Sequence, residues 1–194
     1  DMMSLMEEMM VTEALFIHER RRQFTDELVP IFTSFHNAIV GGDEDVSLRY
    51  RSHLDENDLA ALLAASRGDD RRLGYTSKGV HRDELVMQLN GFPIRKEGSQ
   101  GQNKSYLVAL KLAQFDFLHS CNGETPILLL DDIFDKLDSR RVEQIVRLVS
   151  GERLGQIFIT DVNRDHIDSI LECTNGSYSL FEVSDGGAQL IKGR

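Results

Sequence analysis

Two adjacent carboxylates at the end of an apolar run are the sharpest chemical signal in the sequence. Residues 127–130 read Ile-Leu-Leu-Leu and lead directly into Asp131 and Asp132. Ligand sites in open α/β sheets lie beyond the carboxyl ends of the strands, so Asp131 could hold Mg²⁺ there, directly or through water. Asp132 could then orient or deprotonate an attacking water molecule. The plainer alternative is that both aspartates simply leave a buried strand for solvent.

A short loop upstream of this strand could bind an anion. Ser99-Gln100-Gly101-Gln102 precedes a helical stretch that starts near Asn103. Serine, glycine and the free N–H groups of a helix N-terminus favour a phosphate, although the same residues also make an ordinary helix cap. The order of loop, helix and strand is similar to the signature lobe of ABC-type ATPases. Leu137-Asp138 stand where those ATPases have their D-loop.

The elements that must position these residues alternate between strand and helix. Residues 127–130 and 157–160 are mainly apolar, which predicts two buried strands. The helix predicted over 103–120 carries an apolar stripe of Leu107, Leu110, Phe115 and Leu118. The remaining predicted elements are helices around 142–149 and 167–171 and strands over 178–183 and 188–191. This alternation predicts parallel pairing with right-handed crossovers.

A long helix is predicted at the start of the chain, over residues 1 to about 40. Its apolar residues recur at three- and four-residue steps; they are Phe24, Leu28, Ile31, Phe32, Phe35, Ala38 and Ile39. Pro30 should kink or divide this helix, and Gly41-Gly42 should end it.

Shorter elements follow the long helix. Alternation over residues 46–51 predicts a half-exposed strand. Asp55 offers an N-cap, with Asp58 in the first turn, for a helix that should end at residues 68–70.

A hairpin is predicted around Asn90-Gly91, which is a strong turn signal. Leu85, Met87 and Leu89 alternate on the strand before it, and Ile94 should lie on the return strand.

Composition limits the classes of function. The net charge of −10 argues against nonspecific coating of nucleic acid, so any DNA contact needs a local basic patch. No apolar run approaches the roughly 18 residues of a membrane span, and no signal peptide is visible. Cys121 and Cys173 lack metal-ligand spacing and are expected to be reduced thiols in an intracellular protein. The chain does not begin with Met, so it could be part of a longer protein.

Several motifs resemble the RecF family. Residues 73–85 resemble its G-x-T-x-x-G-P-H-R-D-D-L segment, with Val80 where the family usually has proline. Ser99–Gln102 resembles its S-Q-G-Q signature. Residues 128–132 resemble its L-L-L-D-D strand, and residues 156–160 its Q-x-F-I-T strand. The ABC-like order of these motifs agrees with this family.

The resemblance covers roughly residues 45–194 and implies a fold. It implies an α/β fold in which an ABC-ATPase signature and Walker B lobe, with a mostly parallel sheet, is preceded by a helical arm segment. Residues 1–72 would form the arm, and residues 73–194 the C-terminal part of the ATPase head. The family's P-loop, G-x-x-x-x-G-K followed by Ser or Thr, does not occur in this chain. We therefore expect that the chain alone does not hydrolyse ATP.

The resemblance also implies a role for each motif. In ABC heads, the signature loop of one subunit closes on the ATP that the P-loop of the other subunit holds. The residues that would contact the nucleotide or the dimer seam are Ser99, Gln100, Gly101, Gln102 and Asp138. Asp131 would hold Mg²⁺, and Asp132 would position the hydrolytic water.

The resemblance further implies partners and a cytoplasmic, nucleoid-associated location. RecF is an ATP-dependent homodimeric clamp that binds gapped DNA at single-strand/duplex junctions and, with RecR and RecO, assists RecA loading. Arg82 and Lys104 lie in matched motifs and are the candidate DNA contacts, although solvated surface charge is the plainer interpretation. Two alternatives stay open. One is a head fragment of another SMC-like ATPase, which would need long heptad arms; the other is a non-hydrolytic protein-interaction module.

Overall fold

The computed structural model describes residues 2–42, 44–151 and 154–193. They form two compact units. The first contains the chain up to Thr33 together with Glu44–Glu97, and the second contains the residues from Ser34 to the end of the first helix together with the chain from Gly98 onward. Among the described helices, none combines the length and the apolar composition needed to cross a membrane. Cys121 and Cys173 are free thiols, as predicted.

Helix α1 spans Met2–Val40 without interruption. Of the two effects predicted for Pro30, a kink or a division, the division does not occur. Proline removes one backbone hydrogen bond and costs about 3 kcal/mol in a helix interior, but Leu28 and Phe32 on either side are 3% and 0% exposed. Their packing holds the helix together through the proline. The helix ends as predicted, where the Gly41 N–H donates to the Asn37 carbonyl at 2.8 Å.

The predicted apolar stripe of α1 is only partly buried. Leu28, Phe32 and Ile39 belong to the core. Phe24 and Ala38 lie at the surface of their units, so the buried stripe is narrower than the sequence spacing predicted.

Helix α2, Leu59–Leu73, differs from its prediction at both ends. Its N-cap is Asp58, which accepts from the Ala60 N–H, whereas Asp55 lies in a preceding 3₁₀ turn. The helix also continues past residues 68–70 and ends at Gly74, whose φ is 77°. The predicted stop is wrong because Asp70 is a core residue, 6% exposed.

Buried Asp70 is held by two hydrogen bonds. It accepts from the Ser66 hydroxyl at 2.9 Å and from the Ser77 N–H at 3.1 Å. These contacts with Ser77 and Ser66 lower the pKa of Asp70 below its ordinary value. An aspartate that looks like a turn signal therefore ties α2 to the segment that follows it.

An antiparallel sheet completes the first unit. Strand β1, Val46–Arg51, pairs with β2, Glu84–Leu89, and β2 pairs with the two-residue strand β3, Phe92–Pro93. The hairpin was predicted correctly, but Ile94 starts the short helix α3, Ile94–Glu97, instead of extending the return strand. Pro93 explains the difference, because it has no N–H with which to continue the ladder.

The second unit is the α/β part of the chain. Helix α4, Gln100–Asn122, leads to strand β4, Leu128–Asp131. The elements that follow are α5 (Ser139–Val149), β5 (Ile157–Thr160), α6 (Arg164–Cys173), β6 (Ser179–Ser184) and β7 (Gly187–Gly193). Strands β4 and β5 are parallel, as the strand–helix alternation predicted, while β6 and β7 form an antiparallel hairpin.

The described residues cover only one face of the two parallel strands. Leu128 and Leu130 are buried, but Leu129 and Phe158 are 69% and 53% exposed. The prediction that both strands are buried is therefore wrong. Their residues are apolar on both faces, and the sequence alone did not reveal that only one face is covered.

Helix α4 buries a different stripe from the predicted one. Leu112 and Ala113 are completely buried and Phe115 nearly so, whereas Leu107 and Leu118 are 53% and 40% exposed. Of the predicted stripe, only Phe115 is a core residue.

Candidate functional site

The two predicted acids lie at the carboxyl end of the parallel strands. Asp131 and Thr160 are opposite each other in the register of β4 and β5. The Thr160 hydroxyl donates to the Asp131 carboxylate, and the Asp132 N–H donates to the Thr160 carbonyl at 3.0 Å. Both aspartates are exposed, so an ion or a water molecule can reach them. This is the position that the apolar run predicted.

Asp132 has an unusual backbone conformation. Its φ is +47°, in the left-handed region that residues other than glycine rarely adopt. Such a conformation costs free energy of order 1 kcal/mol and persists where the surrounding structure fixes it. Here the two hydrogen bonds from its N–H to Thr160, at 3.0 Å and 3.3 Å, hold the residue in place.

Asp131 and Asp132 do not make a complete metal site by themselves. Among the described residues, no group of three or more His, Cys, Asp or Glu side chains has an arrangement that could hold a metal. Mg²⁺ in nucleotide sites is bound by one or two carboxylates together with phosphate oxygens and water. The exposed pair fits an ion that arrives with a nucleotide better than a permanently bound one.

The predicted anion-binding loop begins helix α4. Ser99 is the N-cap: its hydroxyl accepts from the Gln102 N–H at 3.2 Å, and its own N–H donates to the Gln102 side chain at 2.9 Å. This reciprocal capping box gives both side chains a structural role. The remaining first-turn N–H groups, those of Gln100 and Gly101, have no carbonyl partner within the helix. They are the groups that could contact a phosphate.

The start of α4 lies against the D-loop candidate. A Cβ added to Gly101 would come within 3.0 Å of the Lys136 carbonyl oxygen, closer than an ordinary contact. Lys136 itself has a φ of +64°. Glycine therefore allows this approach between the two loops without displacing the Lys136 carbonyl, whereas any side chain would require it to shift. The structure thus brings together two segments that the sequence separates by a helix and a strand.

Asp138 is the N-cap of helix α5. Its carboxylate accepts from the Arg141 backbone N–H at 2.9 Å and forms an ion pair with the Arg141 Nε at 3.2 Å. The Arg141 guanidinium also donates to the Ser105 hydroxyl at 3.0 Å. Sequence reasoning missed both Arg141 and Ser105. An arginine three residues after an aspartate N-cap was an available signal, but a serine inside a helix gave none.

Sequence reasoning also gave no role to Asp161, which follows β5. Its side chain is 2% exposed. It accepts from the Asn163 N–H at 2.6 Å, and the His166 Nδ1 lies 3.1 Å from its other oxygen. The His166 ring packs at 5.3 Å from the ring of Phe134, two residues after Asp132. This cluster supports the turn behind the acidic pair.

The two candidate DNA contacts belong to different compact units. Arg82 is exposed, and its guanidinium lies over the Tyr75 ring at 5.3 Å. It lines an open cavity of about 540 Å³. Lys104 is half-buried in the second turn of α4. His81, next to Arg82, places its Nε2 2.7 Å from the Thr76 carbonyl.

Asp83, which lies in the 73–85 segment, takes part in a structural cluster. Asp83 accepts from the Tyr50 hydroxyl and from Arg21, whose Nη1 lies at 2.8 Å. The same Arg21 nitrogen donates to the Val80 carbonyl at 2.6 Å. Burial, together with the hydrogen bond to Asp83, raises the pKa of Tyr50 to about 12, so this phenol stays protonated at neutral pH. Asp83 therefore fastens its segment to α1 and β1 within the first unit.

Comparison of the sequence and the structure with those of known proteins shows which family the chain is similar to. No family model matches the chain. The chain is 54% identical over 187 residues to the DNA replication and repair protein RecF of Phocaeicola vulgatus, covering 96% of the chain and 50% of that protein. It is 56% identical over 173 residues to RecF of Parabacteroides distasonis, covering 89% and 47%. The chain belongs to the RecF family.

The chain spans about half the length of the curated RecF relatives that it matches, which is consistent with a C-terminal portion. A solved structure of the recombination mediator protein RecF with ATP, from the RecFOR pathway, superimposes with a TM-score of 0.74 at 23% identity, covering 97% of the chain and 50% of that protein. A solved SMC ATPase structure gives a TM-score of 0.51 at 14% identity, covering 89% and 87%. These likenesses confirm the predicted α/β fold of an ATPase head with a helical N-terminal segment.

Proposed function

We propose that this chain is the part of a RecF-type ATPase that supplies the signature loop, the Walker B acids and the D-loop. The observation that carries the proposal is the close approach of Gly101 to the Lys136 carbonyl. It joins the start of α4 to the loop that leads from Asp132 to Asp138. An ATPase that closes two heads around a nucleotide needs both segments on one surface.

Each motif residue then has a proposed task. The N–H groups at the start of α4, around Gln100 and Gly101, would contact the γ-phosphate of ATP held by the partner subunit. Asp131 would hold Mg²⁺, which would neutralise phosphate charge when bound. Asp132 would orient the water that attacks the phosphate. Asp138, whose carboxylate is 61% exposed, would lie at the dimer seam.

The partners follow from the family. We propose that the whole protein is an ATP-dependent homodimeric clamp that binds gapped DNA and, with RecR and RecO, assists RecA loading. The solved RecF structures with ATP and the repair function of the curated relatives support this. Because the net charge of this chain is −10, DNA contact would depend on local basic groups such as Arg82 and Lys104. We also propose the division into an arm, 1–72, and a head portion, 73–194.

The test is to replace Asp132 in the full-length protein. We expect Asp132→Asn to lower the ATP hydrolysis rate by about 10²–10⁴-fold, the range for loss of a general base, while ATP-dependent dimers still form. Asp168→Asn is the matched control, because Asp168 is an exposed aspartate that pairs only with Arg164 within α6 among the contacts described. The chain alone should not hydrolyse ATP. Hydrolysis at the wild-type rate by Asp132→Asn would contradict the proposal.

A further inference from the structure

A chain of side-chain contacts connects the signature loop to the D-loop. The Ser105 hydroxyl donates to the Gly101 carbonyl at 2.9 Å and accepts from the Arg141 Nη1 at 3.0 Å. The Arg141 Nε lies 3.2 Å from the Asp138 carboxylate. A Cβ on Gly101 would be 3.8 Å from the Arg141 Nη1, so the guanidinium lies directly beside the signature loop. Arg141 therefore connects helix α4, which starts at the signature loop, to helix α5, which starts at the D-loop.

We propose that Arg141 is a positioning residue that fixes the spacing between the signature loop and the D-loop. The inference rests on the proposed function, because it assumes that both loops close on one nucleotide in the dimer. Arg141 does not need to touch ATP. It acts by holding Gly101, through Ser105, and Asp138 in one arrangement, so that a closing subunit meets both at once.

Burial indicates which contact of Arg141 matters. The Asp138 carboxylate is 61% exposed, and ion pairs with such exposed partners stabilise little. The Arg141 side chain is only 17% exposed, and Ser105 is completely buried. A charged donor in such surroundings gives a stronger hydrogen bond to its acceptor than it would in water. Of these two contacts, the one with Ser105 is therefore the stronger, and it links α4 to α5.

The chemistry of the contact requires arginine. The planar guanidinium presents Nε to Asp138 and Nη1 to Ser105 at the same time. A lysine has a single ammonium group on a flexible stem and cannot reproduce this fork. Ser105 is equally constrained, because its one hydroxyl proton is given to the Gly101 carbonyl and only its lone pairs remain for Arg141. Arg141→Lys and Ser105→Ala should therefore break the same connection.

The experiment uses the full-length protein and separates two affinities. ATP binding by the monomer is measured at protein concentrations too low for dimerisation, and ATP-dependent dimerisation is measured by analytical ultracentrifugation. We expect Arg141→Lys and Ser105→Ala each to weaken dimerisation about tenfold, equivalent to about 1.4 kcal/mol, with ATP affinity of the monomer unchanged. The double variant should be no weaker than either single variant, because both remove one connection.

Arg147→Ala is the matched control. Arg147 lies on the same helix and forms an exposed ion pair with Glu143, so its loss should change neither affinity. Wild-type dimerisation by the Arg141→Lys protein, or additive losses in the double variant, would overturn the inference while the proposed function stands. If the wild-type protein itself forms no ATP-dependent dimer, the proposed function fails and the inference with it. Equal thermal midpoints of wild type and Ser105→Ala show that a measured loss is not unfolding.

Discussion

Two helical glycines form a matched pair that tests the contact between the start of α4 and the loop that leads to Asp138. Gly68 lies inside α2, and a Cβ added there would meet no atom within 4 Å among the described residues. Gly101 lies in the first turn of α4, where a Cβ would meet the Lys136 carbonyl oxygen at 3.0 Å. Replacing each by alanine makes the same chemical change in the two environments.

The expected effects have opposite signs. Gly68→Ala should raise the free energy of unfolding by about 0.4–1 kcal/mol, because alanine has fewer conformations to lose on folding. For Gly101→Ala, the same loss of conformational freedom in the unfolded chain raises the free energy of unfolding by at most the same amount. It must also move Lys136, whose positive φ leaves its backbone little freedom to retreat. Overpacking of this kind costs about 1–3 kcal/mol, so we expect a net loss of about 1 kcal/mol.

The assay is urea unfolding of each 194-residue variant, followed by circular dichroism. Stability is compared through the midpoint at an unchanged slope, because a changed slope would mean that the unfolding reaction itself had changed. Gly68→Ala should shift the midpoint upward and Gly101→Ala downward. A Gly101→Ala protein as stable as Gly68→Ala would refute the close approach of the two loops, and with it the observation that carries the proposed function.

Two further predictions concern the core and the DNA contacts. Leu112→Ala should lower the free energy of unfolding of the chain by about 3 kcal/mol, within the range for buried leucines, whereas the exposed Leu107→Ala should change it by less than about 0.5 kcal/mol; equal losses in urea unfolding would contradict the burial of α4. Replacing Arg82 and Lys104 by glutamate in the full-length protein should weaken gapped-DNA binding and reduce the salt slope by about 0.9 for each phosphate contact removed. Unchanged binding in a salt-titrated gel shift would contradict the assignment of Arg82 and Lys104 as DNA contacts.

The acidic pair could be predicted from sequence because its signal is local. An apolar run that stops at two aspartates is typical of a strand that leaves the core at a sheet edge, and Asp131 and Asp132 lie there. The capping box of Ser99 is equally local, since both partners are within one helical turn. Contacts such as that of Arg141 with Ser105 depend on how two helices pack, and no spacing along the chain encodes them.

Two of the wrong predictions concern residues that interrupt helices. Pro30 and Gly68 are local helix breakers that cost about 3 and 1 kcal/mol respectively, and sequence reasoning treats such costs as decisive. In the folded chain, the packing of Leu28 and Phe32 outweighs the cost of Pro30, and the burial of Asp70 further along α2 outweighs that of Gly68. The stripe of α4 failed for another reason: apolar residues occur almost all around this helix, so periodicity could not choose between Leu107 and Leu112.

The half-covered sheet of the second unit should also affect how copies of the chain associate. Leu129 and Phe158 present apolar surface on a pair of strands whose outer edges have no partner strand among the described residues. Such surface draws copies together, while the net charge of −10 keeps them apart. Added salt screens the repulsion and leaves the apolar attraction intact. We therefore expect the chain to stay dispersed in dilute buffer and to self-associate through these strands as ionic strength rises.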